Sequence, residues 1–319
     1  MAVYTAVDDL ALTAFLHDYD IGDLLSAKGI AEGVENTNYV MMTTEGTYIL
    51  TLYEQRVDAA DLPFFLNLMN HCADKGIATP QPLPRKDGTL LGELCGRHAA
   101  IVTYLDGMAT RKPKPLHCAE LGRGLAAFHD ATLDFGLRRP NALGVASWGP
   151  LFADSRDQAD EVVPGLVALV DDELGVLNAS WPTDLPQGVI HADLFPDNVF
   201  FIGDALSGLI DFYFACNDTL AYDLAICINA WCFEDDLAFN VTKARAMIQG
   251  YNAVRPLSAA ERDALPLLCR GAALRFCLTR LHDWLRVPED ALVTPKDPRP
   301  YYERLRFHRS VSSATEYGL

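Results

Sequence analysis

Residues 189–213 open on Val189-Ile190-His191-Ala192-Asp193-Leu194-Phe195-Pro196-Asp197-Asn198 and close on Ile210-Asp211-Phe212. Residue types in this order suit one kind of chemistry. Phosphoryl transfer from a nucleotide to an alcohol needs a carboxylate that orients the hydroxyl and takes its proton. It also needs an amide oxygen and a second carboxylate to hold Mg²⁺ against the phosphates. Asp193 fits the first role; Asn198 and Asp211 fit the second. The spacing His-x-Asp-x-x-x-x-Asn alone arises by chance in roughly one chain of this length in a hundred. Context narrows it: Val189-Ile190 run into the polar loop, Val199-Phe200-Phe201-Ile202 run out of it, and Leu209-Ile210 deliver Asp211, so the polar groups punctuate strand-like runs. A turn that only caps itself has no use for a carboxylate at the end of the next strand.

Elements must position these groups, and the chain has the material for them. Its 319 residues are 50% apolar, enough for a full core and for two lobes rather than one. The formal net charge of -17 argues against a nucleic-acid or membrane-surface partner, which would demand a basic face. No run approaches the roughly 18 apolar residues of a membrane span, and the first residues lack the plan of a signal peptide. The eight cysteines show no Cys-x-x-Cys spacing and read as reduced thiols of a cytoplasmic protein.

Two textures follow. Residues 8–18 predict a short helix capped by Asp8 or Asp9. From Asp23 to Thr103 the pattern is strand-like, with strands at 39–43, 48–53 and 99–103, a turn at Glu45-Gly46, and one helix over 58–75. Beyond Tyr104-Leu105-Asp106-Gly107 the spacing predicts helices over 116–133, 160–177, 220–233, 237–251 and 259–285; the Pro-rich stretches at 80–84, 112–115 and 295–300 read as loops. The expected fold class is α+β, a bilobal plan of the protein-kinase kind. A small β-rich N-lobe spans 1–103, a hinge 104–107, and a larger, mainly helical C-lobe 108–319 that carries the catalytic loop and the metal-binding hairpin.

On that plan an adenine edge pairs with extended backbone at Thr103, Tyr104 and Leu105. The segment Gly33-Val34-Glu35-Asn36-Thr37-Asn38 leads into the first strong strand, where a loop over the phosphates belongs. Gly33 relaxes its turn, and Asn36, Thr37 and Asn38 offer polar groups to phosphate oxygens. An Asn-rich hairpin turn would look the same. No Gly-x-x-x-x-Gly-Lys-Ser/Thr segment is present, which excludes a P-loop enzyme.

The loop at 191–198 and Ile210-Asp211-Phe212 resemble the conserved motifs of the aminoglycoside-phosphotransferase-like, or protein-kinase-like, superfamily. Gly33–Tyr39, Tyr48–Glu54, Leu62–Phe65, Ile210–Ala215 and Ala273–Trp284 resemble its homoserine kinase branch, over nearly the whole chain. The resemblance implies ATP as co-substrate, Mg²⁺ as cofactor, and L-homoserine as the alcohol, with O-phospho-L-homoserine, the precursor of threonine, as product. One departure stands out. Thr51 occupies the third-strand position where most of the superfamily places a Lys, and the homoserine kinase branch shares that feature. Arg56 lies a few residues on.

Homoserine carries a carboxylate, and residues 270–286 concentrate arginines in an acidic chain. On a helix, Leu274, Cys277, Leu278, Leu281 and Leu285 form one apolar stripe, with Arg275 on one edge and Arg280 on the other. Both suit bidentate carboxylate recognition, although stripe-edge arginines also pair structurally. Asp218 and Asp223 read as braces of the catalytic loop. Two other readings remain: a kinase of another small alcohol (choline, methylthioribose or an aminoglycoside), or a non-catalytic nucleotide-binding module.

Overall fold

The structure, a computed structural model, describes residues 5–30, 36–54, 58–286 and 295–319. Gly33 and Arg56 therefore lie outside the described residues. The chain divides into two compact units, Met1–Gly107 with Gly208–Tyr213, and Met108–Ser207 with Phe214–Leu319.

In the first unit a helix, α1 (Asp9–Leu16), precedes the sheet strands β1 (Leu24–Gly29), β2 (Asn36–Thr43), β3 (Thr47–Tyr53), β4 (Gly92–Leu94) and β5 (Arg97–Thr103). Asp8 caps α1 by accepting the Ala11 N–H at 2.7 Å, which satisfies a donor that the helix cannot pair internally. The antiparallel strands lie in the order β1-β2-β3-β5-β4. Leu12, Phe15 and Leu16 of α1 share a core with Met41, Leu50 and Ile101 of the sheet. A second helix, α2 (Leu62–Asp74), buries Leu62, Phe65, Leu66, Met69 and Cys72, the i, i+3, i+4, i+7 face that its spacing predicts.

The second unit holds the short strand β6 (Met108–Ala109) and helices α3 (Pro115–Ala131), α4 (Val145–Ala153), α5 (Arg156–Val162) and α6 (Leu166–Ser180). Strands β7 (Gln187–Ile190), β8 (Val199–Ile202), β9 (Ala205–Leu209) and β10 (Cys216–Thr219) follow, then helices α7 (Leu220–Trp231), α8 (Val241–Val254), α9 (Ala259–Leu285) and α10 (Arg299–Ser310). The helix expected over 160–177 is two helices, because Pro164-Gly165 interrupts it and Gly165 takes a left-handed φ of 82°. Where α3 meets α8, Gly122 and Gly250 let the backbones touch. A Cβ on Gly122 would sit 2.1 Å from the Met247 carbonyl oxygen, and one on Gly250 as close to that of Ala119.

Two helices fall where the sequence reading places none. Gly149-Pro150 hides α4, which Trp148 anchors by donating to the Leu143 carbonyl at 2.8 Å. In α10, Pro300 occupies the first turn, where its missing N–H costs nothing. The hairpin divides differently from the single cut expected at 104–107. Its end, residues 208–213, belongs with the first unit: the Leu209 N–H bonds Ala78 at 2.9 Å, and the Tyr213 ring packs edge-on against Tyr53 and Phe65.

All eight cysteines are free, and only Cys95 among them is exposed. Burial pushes the Cys72 and Cys216 thiols up to about 12, so they are poor nucleophiles. Among the described residues no helix is long and apolar enough to cross a membrane.

His308 of α10 is fully buried, its Nδ1 2.7 Å from the Tyr317 hydroxyl. Burial, with the Arg304 charge, lowers its pKa from 6.5 to about 3. Between those values the unfolded chain binds a proton that the folded chain refuses, so stability is full above the unfolded value and falls as pH drops through the window. Urea midpoints at pH 7.5 and pH 5 should differ for the native chain and differ less for His308→Gln. Equal pH sensitivity in the two would refute the assignment.

Candidate active site

In the second unit, β7 ends at Ile190, paired with Cys216 of β10, and the loop 191–198 leaves from that point. Three buried groups hold its backbone. The Asp223 carboxylate, on α7, accepts the His191 N–H at 2.7 Å and the Ala192 N–H at 2.9 Å. Arg275 Nη1, on α9, donates to the Ala192 carbonyl at 2.7 Å. Trp231 Nε1 donates to the Leu194 carbonyl at 2.7 Å. These bonds clamp Ala192 in a left-handed φ of 64°, a conformation that costs a non-glycine residue energy and persists only where its surroundings impose it.

Asp223 is itself supported by His129 of α3, whose Nε2 lies 3.2 Å from it while Nδ1 meets the Tyr251 hydroxyl at 2.8 Å. Burial would push the Asp223 carboxyl up. The His129 hydrogen bond and charge, with His191, outweigh this and hold it below the usual carboxylate range. It is thus an anion shaped to receive two main-chain N–H groups.

Past this clamp the loop presents Asp193. Asn198 Nδ2 donates to the Asp193 carbonyl at 2.8 Å and to its Oδ2 at 3.1 Å, and the Phe195 N–H closes the turn onto the same carbonyl at 2.8 Å. One carboxylate oxygen of Asp193 is thereby held in place. The Asn198 amide oxygen takes no hydrogen bond among the described residues, which leaves a hard donor suited to a cation. Asp211 follows β9 with a left-handed φ of 66° and supplies a carboxylate of the same hardness. Mg²⁺ takes one or two such protein ligands and completes its shell with phosphates and water, and each of these two oxygens is of the hard type it takes.

In the first unit, Asn36, Thr37 and Asn38 are the start of β2 rather than a free loop, paired with Tyr53, Leu52 and Thr51. Thr51, in the place of the superfamily Lys, donates to Asn38 Oδ1 at 2.7 Å. The Thr37 hydroxyl, fully buried, donates to Glu54 at 2.8 Å and accepts from the Thr5 N–H at 3.2 Å. Glu54 also pairs with Arg97 at 3.1 Å. The polar side chains of Thr37 and Asn38 are thus spent on holding the sheet. Thr103 is tied at 2.9 Å to Gln81 in both directions. After it, the backbone of Tyr104 and Leu105 makes no hydrogen bond among the described residues, which leaves an extended edge free.

The two candidate arginines part company. Arg275 is 2% exposed, its guanidinium on the Ala192 carbonyl and 4.4 Å from the Phe276 ring centroid. It braces the loop, and in this arrangement its Nη1 is engaged by the backbone rather than held open for a ligand. Arg280 lies 4.4 Å from the Tyr301 ring centroid and donates to the Asp297 carbonyl at 3.3 Å. Burial lowers its pKa, and the charge of Asp193 is near enough to act against that. His129, Trp231 and Tyr251 escaped the sequence reading, since nothing local marks them. Of the two acids read as braces, Asp223 holds the loop, and Asp218 receives Asn141 at 2.7 Å.

The family model of the phosphotransferase enzyme family matches residues 26–257. A homoserine kinase of Brucella anthropi is 61% identical over 319 residues, covering 100% of this chain and 98% of the relative. One from a Methylobacterium species is 64% identical over 318 residues, covering 100% and 99%. Among solved structures, an amicoumacin kinase in complex with AMP-PNP, Ca²⁺ and Ami superposes with a TM-score of 0.69 at 12% identity, covering 96% of this chain and 93% of that one. A choline kinase of Cryptosporidium parvum gives 0.69 at 12% identity, covering 95% and 94%. The chain belongs to the phosphotransferase enzyme family, in its homoserine kinase branch, with the protein-kinase-like α+β fold that these enzymes share.

Proposed function

We propose that this chain transfers the γ-phosphoryl group of ATP to the side-chain hydroxyl of L-homoserine, releasing ADP and O-phospho-L-homoserine. The observation that carries this is the built catalytic loop, with Asp193 held by Asn198 on a backbone clamped by Asp223, in a chain that matches homoserine kinases end to end.

Asp193 accepts a hydrogen bond from the attacking hydroxyl and aims its oxygen at phosphorus; the proton leaves as the P–O bond forms and the bond to the ADP oxygen breaks. Asn198 and Asp211 offer oxygen ligands to Mg²⁺, which supplies charge neutralisation to the phosphates. The backbone of Tyr104 and Leu105 pairs with the adenine edge beside Thr103. Asn36, Thr37 and Asn38 anchor the start of β2 on the side given to the phosphates, and Gly33 precedes them in the sequence. Arg280 receives the substrate carboxylate, and Arg275 positions the loop. The free cysteines support a cytoplasmic, reducing setting.

Coupled ADP release against L-homoserine, choline, methylthioribose and an aminoglycoside tests the reading. Mg²⁺-dependent turnover of L-homoserine alone is expected. Turnover of a different alcohol would leave only the kinase class standing, and no turnover with any of them would favour a non-catalytic module.

A further inference from the structure

On α10, Tyr301 and Arg304 are three residues apart and so share a face, and α10 packs against α9, which carries Arg280. The guanidinium carbons of Arg280 and Arg304 lie 4.4 and 4.5 Å from the centroid of the same Tyr301 ring. Two like charges gathered at one ring repel unless an anion compensates them. Among the described residues neither guanidinium has a carboxylate partner, in a chain with 43 acidic residues against 26 Lys and Arg. Arg304 Nε and the Tyr301 hydroxyl are buried and also lack hydrogen-bond partners there. Among the described residues the two guanidinium groups thus have one carbonyl acceptor, that of Asp297 on Arg280, and no carboxylate. Asp193 is close enough for its charge to act on both Arg280 and Tyr301.

We propose that Arg304 and Arg280, lined up on the Tyr301 ring, form a two-armed subsite for the α-carboxylate of the acceptor amino acid. This deepens the homoserine kinase reading and rests on it. A planar guanidinium matches a carboxylate through paired N–H bonds, and Tyr301 fixes both arms by cation–π contact. In homoserine four bonds, spanning roughly 5 Å, separate the hydroxyl oxygen from the carboxylate carbon. A carboxylate at the arginines thereby leaves the hydroxyl to reach toward Asp193. Arg304 escapes the sequence reading because the start of its helix lies in a Pro-rich stretch.

The test compares the native chain, Arg304→Ala and Arg304→Lys on L-homoserine and on 3-aminopropan-1-ol, which lacks the carboxylate. Losing one arm of a desolvated charge pair should raise KM for L-homoserine on the order of thirtyfold or more. KM for ATP should hold, and the preference for L-homoserine over 3-aminopropan-1-ol should collapse. Lys should recover part of the loss, since it keeps the charge without the fork. Thermal stabilisation by L-homoserine in the absence of nucleotide reads binding without turnover and should vanish in Arg304→Ala. Should Arg304→Ala not fold, Arg304→Lys alone must still raise KM for L-homoserine. An unchanged KM for L-homoserine in the variants overturns the subsite, as does a rise in KM for ATP, which would assign the arginines to phosphate. If the native chain phosphorylates another alcohol and not L-homoserine, the underlying reading fails first and the subsite with it.

Discussion

Asp193→Asn is expected to cut turnover roughly a thousandfold or more, a loss of the size that general-base removal produces, while nucleotide affinity stays close to native. The substitution is nearly isosteric. Asn198 Nδ2 now donates to Asp193 Oδ2 at 3.1 Å, and an amide oxygen can accept the same bond. The backbone clamp from Asp223, Arg275 and Trp231 involves no side-chain atom of Asp193, so the loop should keep its shape. What disappears is the negative charge that draws the hydroxyl proton. Single-turnover kinetics together with nucleotide titration would check this. Lost ATP binding with residual turnover would mean that Asp193 serves the metal or the fold instead.

Asp211→Asn and Asn198→Ala are expected to weaken Mg²⁺-nucleotide binding and turnover together, by roughly a hundredfold or more in kcat/KM, because each removes a hard oxygen or its charge from a cation that neutralises the phosphates. Asn is the informative replacement at position 211. With φ at 66°, Asn tolerates the left-handed backbone, whereas Ala would add strain and blur the result. The two positions should also differ from each other. Asn198 donates to the Asp193 carbonyl and carboxylate, so Asn198→Ala should loosen Asp193 and keep a turnover defect even at saturating Mg²⁺. Asp211→Asn should respond more to added metal. Calorimetric titration of nucleotide with and without Mg²⁺, beside turnover as a function of Mg²⁺, separates these outcomes. Native metal dependence in either variant would remove that residue from the metal site.

The candidate site was legible in the chain itself as a pattern of spacings. His191–Asn198 and Asp211 are read from spacing because a catalytic loop must set its acid, amide and second acid at fixed offsets along one backbone. The stripe of α9 and the buried face of α2 are equally local, since helical period alone brings those positions together. Elements that broke local rules were not legible. Prolines near the start of α10 and inside α4 disguised helices whose tertiary contacts outweigh propensity.

Partnership across distance was decided only by the tertiary structure. Arg275 and Arg280 flank the same apolar stripe and look alike in sequence. One is sealed against the Ala192 carbonyl, the other faces Tyr301 of a helix that begins 19 positions later in the numbering. His129, Trp231 and Tyr251 reach the catalytic loop or its Asp223 support from elements remote in sequence. Thr51 and Asn38 meet because β2 and β3 pair in one register. A side chain's type and period state what it can do; which of its possible partners arrives beside it is a property of packing, and packing is set by contacts that no local window of sequence contains.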